Sequence, residues 1–169
     1  MASPSDRFNR FIPFILKEEC DYPRDKSGQY SNTPGDDGGP TKFGIDLRGQ
    51  RAYAVQFGED PDAWDMARIK ALTIDQALEV YWKFYWNGSP SHPHRCEALA
   101  ADLGEVTMNS WVNGGKPTAW LQQCAGSPLN YIALQEDYYR SLAARIPHDR
   151  QFLPDWLGRS ERLKRYLGL

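Results

Sequence analysis

The chain has 169 residues, 41% hydrophobic and 25% charged, long enough to bury a sizeable core as one compact domain over 1–169. Its 20 basic and 22 acidic side chains leave a formal net charge of −2, which argues against a broad nucleic-acid-binding surface. No apolar run reaches the ~18 residues of a membrane span, and the N-terminal Met-Ala-Ser-Pro-Ser-Asp-Arg lacks the basic and apolar regions of a secretory signal.

The first predicted element is a helix. Phe8, Phe11, Ile12, Ile15, Leu16 and Glu19 recur at the spacing of one helix face, so Glu19 continues the buried side and Glu18 points away. Pro13 lies inside this pattern and predicts a late start or a kink. Residues 22–39 are rich in Pro, Gly, Ser, Asp and Asn and read as loop or irregular hairpin. Residues 41–47 supply a short strand or turn, and short helical pieces are expected within 48–72, broken around 58–61. Thr73 and Gln76 then make a capping box, opening a helix with the buried stripe Ile74, Ala77, Leu78, Tyr81, Trp82 and Tyr85; Gly88 ends it.

A connector over 89–96 leads to a helix predicted over 97–113, with Leu99, Leu103 and Val106 facing inward and Gly114-Gly115 as its stop. Pro117 starts a short helix through Gln123. Ser127 as cap and Pro128 at the first helical position open the next, which runs to Pro147. The last helix carries Trp156, Leu163 and Leu167. Its Arg159, Arg162, Lys164 and Arg165 are either a solvated face or a patch for an anionic polymer. The expected fold class is mainly α, a helical bundle with a small irregular β/loop lobe near the N-terminus.

The chemistry concentrates between residues 8 and 45. Cleaving a glycosidic bond needs an acid for the leaving oxygen and either a base for water or a nucleophile. A carboxylic acid at the edge of a core resists ionisation, which suits it to the first role. Glu19 is the candidate acid, and Asp36 or Asp37 the second carboxylate, set on a loop that Gly38-Gly39 allows to bend sharply. Thr41, just beyond, offers a hydroxyl to hold a water. The plain alternatives are a solvated helix-end acid and a surface turn.

Other chemistries find less support. Cys20, Cys96 and Cys124 form no paired spacing and no disulfide framework. Cys20 has no histidine near it in sequence. His92, His94 and Cys96 hint at zinc, but Pro93 interrupts them and no fourth ligand is evident.

The helix ending Glu19-Cys20-Asp21-Tyr22, followed by Asp36-Asp37-Gly38-Gly39-Pro40-Thr41-Lys42-Phe43-Gly44-Ile45, resembles the glycoside hydrolase family 108 muramidases, relatives of phage-type lysozymes. The family pattern is a helix ending in Glu-Gly-Gly-Tyr, then Asp-Pro-Gly-Gly-x-Thr-x-x-Gly-Ile. Leu72-Thr73 through Ala77, Tyr81 with Tyr85-Trp86, Asn113-Gly114 with Ala119 and Leu121-Gln122, and Phe152 to Arg159 extend the resemblance over nearly the whole chain. Two departures stand out. Cys20-Asp21 replaces Gly-Gly, although Asp tolerates the left-handed turn that glycine would make. The link over 24–35 is longer than the family's.

The resemblance implies a lysozyme-like α+β fold and cleavage of the β-1,4 bond between N-acetylmuramic acid and N-acetylglucosamine in peptidoglycan, with cell-wall lysis. It implies Glu19 as catalytic acid, Asp36 as the second acid and Thr41 beside the attacking water, with no metal or organic cofactor. Tyr22, Asp37, Trp111 and Asn113 are candidate sugar contacts, and residues 97–169 form a helical half that aids binding of the glycan strands. A non-catalytic wall-binding module and a lytic transglycosylase are the alternatives. A monomer is expected, made in the cytoplasm and reaching the wall in the periplasm through a holin, a phage particle or a secretion machine. An injected effector would also have an immunity protein as partner.

Overall fold

Ser5 starts the first helix by accepting the Phe8 N–H at 3.2 Å, and α1 runs over Asp6–Cys20. The computed structural model describes residues 3–32, 38–89 and 93–169, so Asp36, Asp37 and His92 lie outside the described residues. Two compact units are present, Met1–Pro93 and His94–Leu169.

In the first unit, α1 buries Phe8, Phe11, Ile12, Phe14, Ile15 and Leu16. Each large side chain so buried contributes about 2 kcal/mol. The expected late start at Pro13 is corrected: the helix begins before Pro13 and continues through it. The proline is exposed, as is Asn9, so the Asn9 carbonyl that loses its helical donor can be hydrated. At the other end Cys20, rather than Glu19, closes the buried stripe; Glu18 and Glu19 are both half-buried.

A two-stranded antiparallel hairpin follows, β1 (Thr41–Lys42) and β2 (Ile45–Asp46), with Thr41 opposite Asp46 and Lys42 opposite Ile45. Asp46 caps α2 (Leu47–Phe57), and Gly58 ends it. A short 3-10 turn at Pro61–Ala63 and α3 (Met66–Lys70) lead to α4 (Ile74–Val80), which opens on the predicted capping box of Thr73 and Gln76. From Tyr81 the helix changes pitch and continues as a π-helical segment to Trp86. Asn87 N–H reaches back to the Trp82 carbonyl at 3.1 Å, five residues away. The widened turn alters which side chains face inward. Beyond it Phe84 and Trp86 are buried, whereas Trp82 and Tyr85 of the predicted stripe are only half-buried; Ile74 and Leu78, before the change of pitch, are half-buried as well. Trp82 and Trp86 meet Phe8 of α1 edge-on, at 5.2 and 5.7 Å between ring centres.

In the second unit all regular secondary structure among the described residues is helical. Its first predicted helix starts later than its pattern suggested: a 3-10 turn over Cys96–Ala98 comes first, Asp102 adopts a left-handed φ of 64°, and only then does α5 run over Leu103–Val112. That φ interrupts any helix begun at Glu97. Next come α6 (Pro117–Gln123) and α7 (Pro128–Arg145), the latter capped by Ser127 as predicted. A 3-10 segment, Pro147–Phe152, leads into α8 (Leu153–Leu167). The basic run on α8 is not an open patch. Arg159 is buried and donates to Asn109 Oδ1 at 2.9 Å, Lys164 pairs with Glu136 and Glu161, and Arg162 pairs with Asp155.

Candidate active site

The hairpin turn that meets the end of α1 is made of Phe43 and Gly44, both with positive φ (52° and 74°). Two left-handed residues give the turn whose twist matches paired strands. Gly44 has a second reason to be glycine. A Cβ there would lie 2.7 and 2.9 Å from Cβ and Cγ of Glu19 and 2.5 Å from the Tyr81 hydroxyl. The stem of Glu19 therefore packs directly on the turn. Phe43, a costly residue at positive φ, is held by burial against Gly28, whose carbonyl accepts the Phe43 N–H at 2.7 Å. Tyr81 donates to the Phe43 carbonyl at 2.9 Å and pins the turn from the π-helical side.

The turn between α1 and the loop survives the loss of Gly-Gly. Asp21 takes the left-handed conformation (φ 55°, ψ 24°), and its N–H closes on the Lys17 carbonyl. Its carboxylate is ion-paired with Arg24. Cys20 is buried and its thiol donates to the Leu16 carbonyl at 3.2 Å. Burial, with the nearby Glu19, Asp25 and Asp21 carboxylates, pushes that thiol away from the thiolate form, the opposite of what a cysteine nucleophile requires. None of the three cysteines is disulfide-bonded. His94 is half-buried, and no cluster of metal-binding side chains occurs among the described residues.

The glycine-rich run before β1 is anchored from below. The first N–H groups of α2, at Leu47 and Arg48, donate to the carbonyls of Pro40 and Gly38. Asp46 caps the helix by accepting the Gly49 N–H, and its other oxygen would lie 2.6 Å from a Cβ on Gly38. Gly38 thus has no room for a side chain, and Gly39 (φ 76°) has no tolerance for one. Thr41, half-buried on β1, donates its hydroxyl to the Gly39 carbonyl at 3.2 Å. Its lone pairs are left as acceptors.

Of the predicted site residues, Glu19, Tyr22 and Thr41 fall on elements that meet at this hairpin. Tyr22 is half-buried, edge-on to Phe43 at 6.3 Å, and lines an open groove of about 660 Å³ with Lys17, Asp21, Pro23 and Arg24. Trp111 and Asn113 lie in the second unit. Trp111 is half-buried on α5, and Asn113, at its C-terminus, donates to the Tyr139 hydroxyl at 2.7 Å. Two residues at the hairpin escaped sequence reasoning in this role. Asp46 was readable only as the residue before a helix, and Tyr85 only as part of a buried stripe. Burial pushes the Tyr85 hydroxyl far above the usual phenol range, the Asp46 and Glu19 carboxylates add to the rise, and Arg48 opposes it.

An acid at the end of a long helix, packed on a small hairpin in a mainly helical chain, places the protein in the lysozyme-like class. The family model for glycosyl hydrolase 108 matches residues 14–115, well over half of the chain, and the protein belongs to that family. Its fold is similar to that of SagA from Brucella abortus, with a TM-score of 0.67 and 21% identity over 95% of this chain and 94% of that one. A comparison with curated proteins gives no match. Family membership supports a glycoside hydrolase of the peptidoglycan-hydrolase type.

Proposed function

We propose that the protein is an N-acetylmuramidase that hydrolyses the β-1,4 bond between N-acetylmuramic acid and N-acetylglucosamine, with Glu19 as general acid. The observation that carries this reading is the seating of Glu19 on the Phe43–Gly44 turn, with its stem fixed by glycine and Thr41 on the same hairpin. A proton delivered by a positioned carboxyl to the leaving oxygen speeds such a cleavage by roughly 10²–10⁴-fold. Thr41 can only accept, because its own proton is committed to Gly39. A water donating to it keeps a lone pair directed away, toward an electrophilic anomeric carbon. Asp36, outside the described residues, is the carboxylate proposed to activate that water or to balance the oxocarbenium-like charge. Tyr22 and Asp37 are proposed sugar contacts of the first unit, and Trp111 and Asn113 of the second.

The setting that fits this activity is the bacterial wall, reached from the cytoplasm through a holin, in a phage particle or by a secretion machine, the last with an immunity protein as partner. Purified sacculi digested by wild type and by Glu19→Gln, with the new ends identified by mass, test the reading. Reducing N-acetylmuramic acid ends from wild type alone are expected. Anhydro ends would make the enzyme a transglycosylase, and equal cleavage by both proteins would remove Glu19 from the mechanism.

A further inference from the structure

Residues of α2, of α3 with the turn before it, and of α4 line a cavity of about 140 Å³, and no residue of the hairpin is among them. Two of its lining side chains are buried, Gln50 at 2% and Trp64 at 4% exposure. Each carries one polar atom with no hydrogen-bond partner among the described residues: Gln50 Oε1, which can only accept, and Trp64 Nε1–H, which can only donate. Unpaired buried groups are costly, and two of opposite character in one cavity suit a common partner. Trp64 is otherwise pinned. Arg51 donates to its carbonyl through Nε at 3.2 Å and Nη2 at 2.9 Å, and its backbone N–H donates to the Pro61 carbonyl at 3.2 Å. The Arg68 guanidinium lies over its ring at 4.1 Å. The indole N–H is therefore a fixed donor rather than one that can turn to another acceptor.

We propose that this cavity binds the N-acetyl group of an amino sugar, at a site separate from Glu19. The amide N–H of the ligand donates to Gln50 Oε1, its carbonyl accepts from Trp64 Nε1, and its methyl meets the buried Tyr53 and Val80. A carboxylate would satisfy Trp64 but set its charge against the Gln50 oxygen and the Glu79 carboxylate, and an ammonium would leave the indole N–H unpaired. A neutral group that both donates and accepts answers both atoms. The volume sets its size: more than the ~30 Å³ of one water and less than the ~300 Å³ at which pockets enclose whole ligands, so a substituent enters and its sugar ring stays outside. Arg68 and Glu79 also line the cavity and are exposed, so it reaches the surface. The choice of an amino sugar over another secondary amide rests on the muramidase reading, whereas the amide chemistry does not.

The test reads Trp64 directly. The nitrogen-labelled full chain, its Trp64 indole cross-peak assigned by loss in Trp64→Phe, is titrated with N-acetylglucosamine, with glucose and with N-acetylalanine methylamide. N-acetylglucosamine is expected to move the Trp64 cross-peak saturably, and glucose to leave it in place. Gln50→Met keeps the side-chain length and removes the oxygen. It should weaken binding roughly tenfold without lowering the melting temperature, because Oε1 has no partner within the described residues. A cross-peak unmoved by N-acetylglucosamine overturns the proposal. Equal movement with glucose does so too, by assigning the cavity to hydroxyls, and movement with the blocked alanine alone assigns it to a peptide amide. None of these probes has a glycosidic bond between sugars to cut, so the titration is read whether or not the wild type cleaves sacculi, and Glu19→Gln should bind as the wild type does.

Discussion

Around Glu19, in the first unit, polar side chains are half-buried and the backbone beside them is shaped by glycine. In the second unit a group of buried and half-buried polar side chains bonds largely within itself. Ser110 shares a hydrogen bond with Tyr131, Gln135 and Asn113 both donate to the Tyr139 hydroxyl at 2.7 Å, and Arg159 donates to Asn109. The same residue types do different things in the two places. Such a network uses most of its donors and acceptors internally, Gln135 Oε1 and Arg159 Nη2 excepted, and favours one packing of α5, α7 and α8. At the hairpin, glycine backbone and the bonds made by Tyr81 and Asp46 do the holding, and Thr41 keeps lone pairs that can accept from an external partner. Chemistry is expected where positioning is done by the main chain.

Substitutions can break that comparison, and the largest effect belongs to the acid. Glu19→Gln should lower kcat/KM on sacculi by roughly 10³-fold with no loss of melting temperature, because the side chain is retained and only its proton is lost. Gly44→Ala should cost about 3 kcal/mol in denaturant unfolding, combining an adverse φ with overlap against Glu19 and Tyr81. In the second unit, Asn109→Ala leaves the buried Arg159 guanidinium short of an acceptor. It should cost about 2 kcal/mol while cleavage per folded molecule is unchanged. Gly58→Ala is the control for Gly44: its φ is 73°, but nothing lies within 4 Å of the new Cβ, so about 1 kcal/mol is expected.

The smallest effect is seen only at high pH. Burial pushes the Tyr131 and Tyr139 hydroxyls up. In the unfolded chain these phenols ionise near pH 10, whereas the folded state still holds their protons. The stability they contribute is complete below about pH 10 and is lost as the pH rises from there through the folded-state values. Tyr131→Phe should flatten that alkaline decline in melting temperature. An unchanged slope would mean that the network does not carry it.

Much of the scaffold was legible because its signals are local. The spacing of Phe8, Phe11, Ile12, Ile15 and Leu16 defined the buried face of α1, and Thr73 with Gln76, Pro117, and Ser127 with Pro128 fixed three helix starts. The change of pitch at Tyr81 was not legible. Hydrophobic periodicity assumes one helical repeat, so the stripe predicted past Val80 drifts off the observed one. The site divided along the same line. Glu19, Gly44 and Thr41 stand in a motif, whereas Asp46 and Tyr85 are brought to it by the hairpin register and by the π-helical turn, which no short pattern encodes.

The burial of Cys20, Cys96 and Cys124 bears on where such a chain can work. None is tied to another; Cys20 directs its thiol to the Leu16 carbonyl of its own helix, and Cys124, just past the end of α6, directs its thiol to the Leu121 carbonyl. Folding therefore asks nothing of an oxidant, and shielded thiols give an oxidant little to attack. A chain built this way keeps the same fold in reducing and in oxidising surroundings.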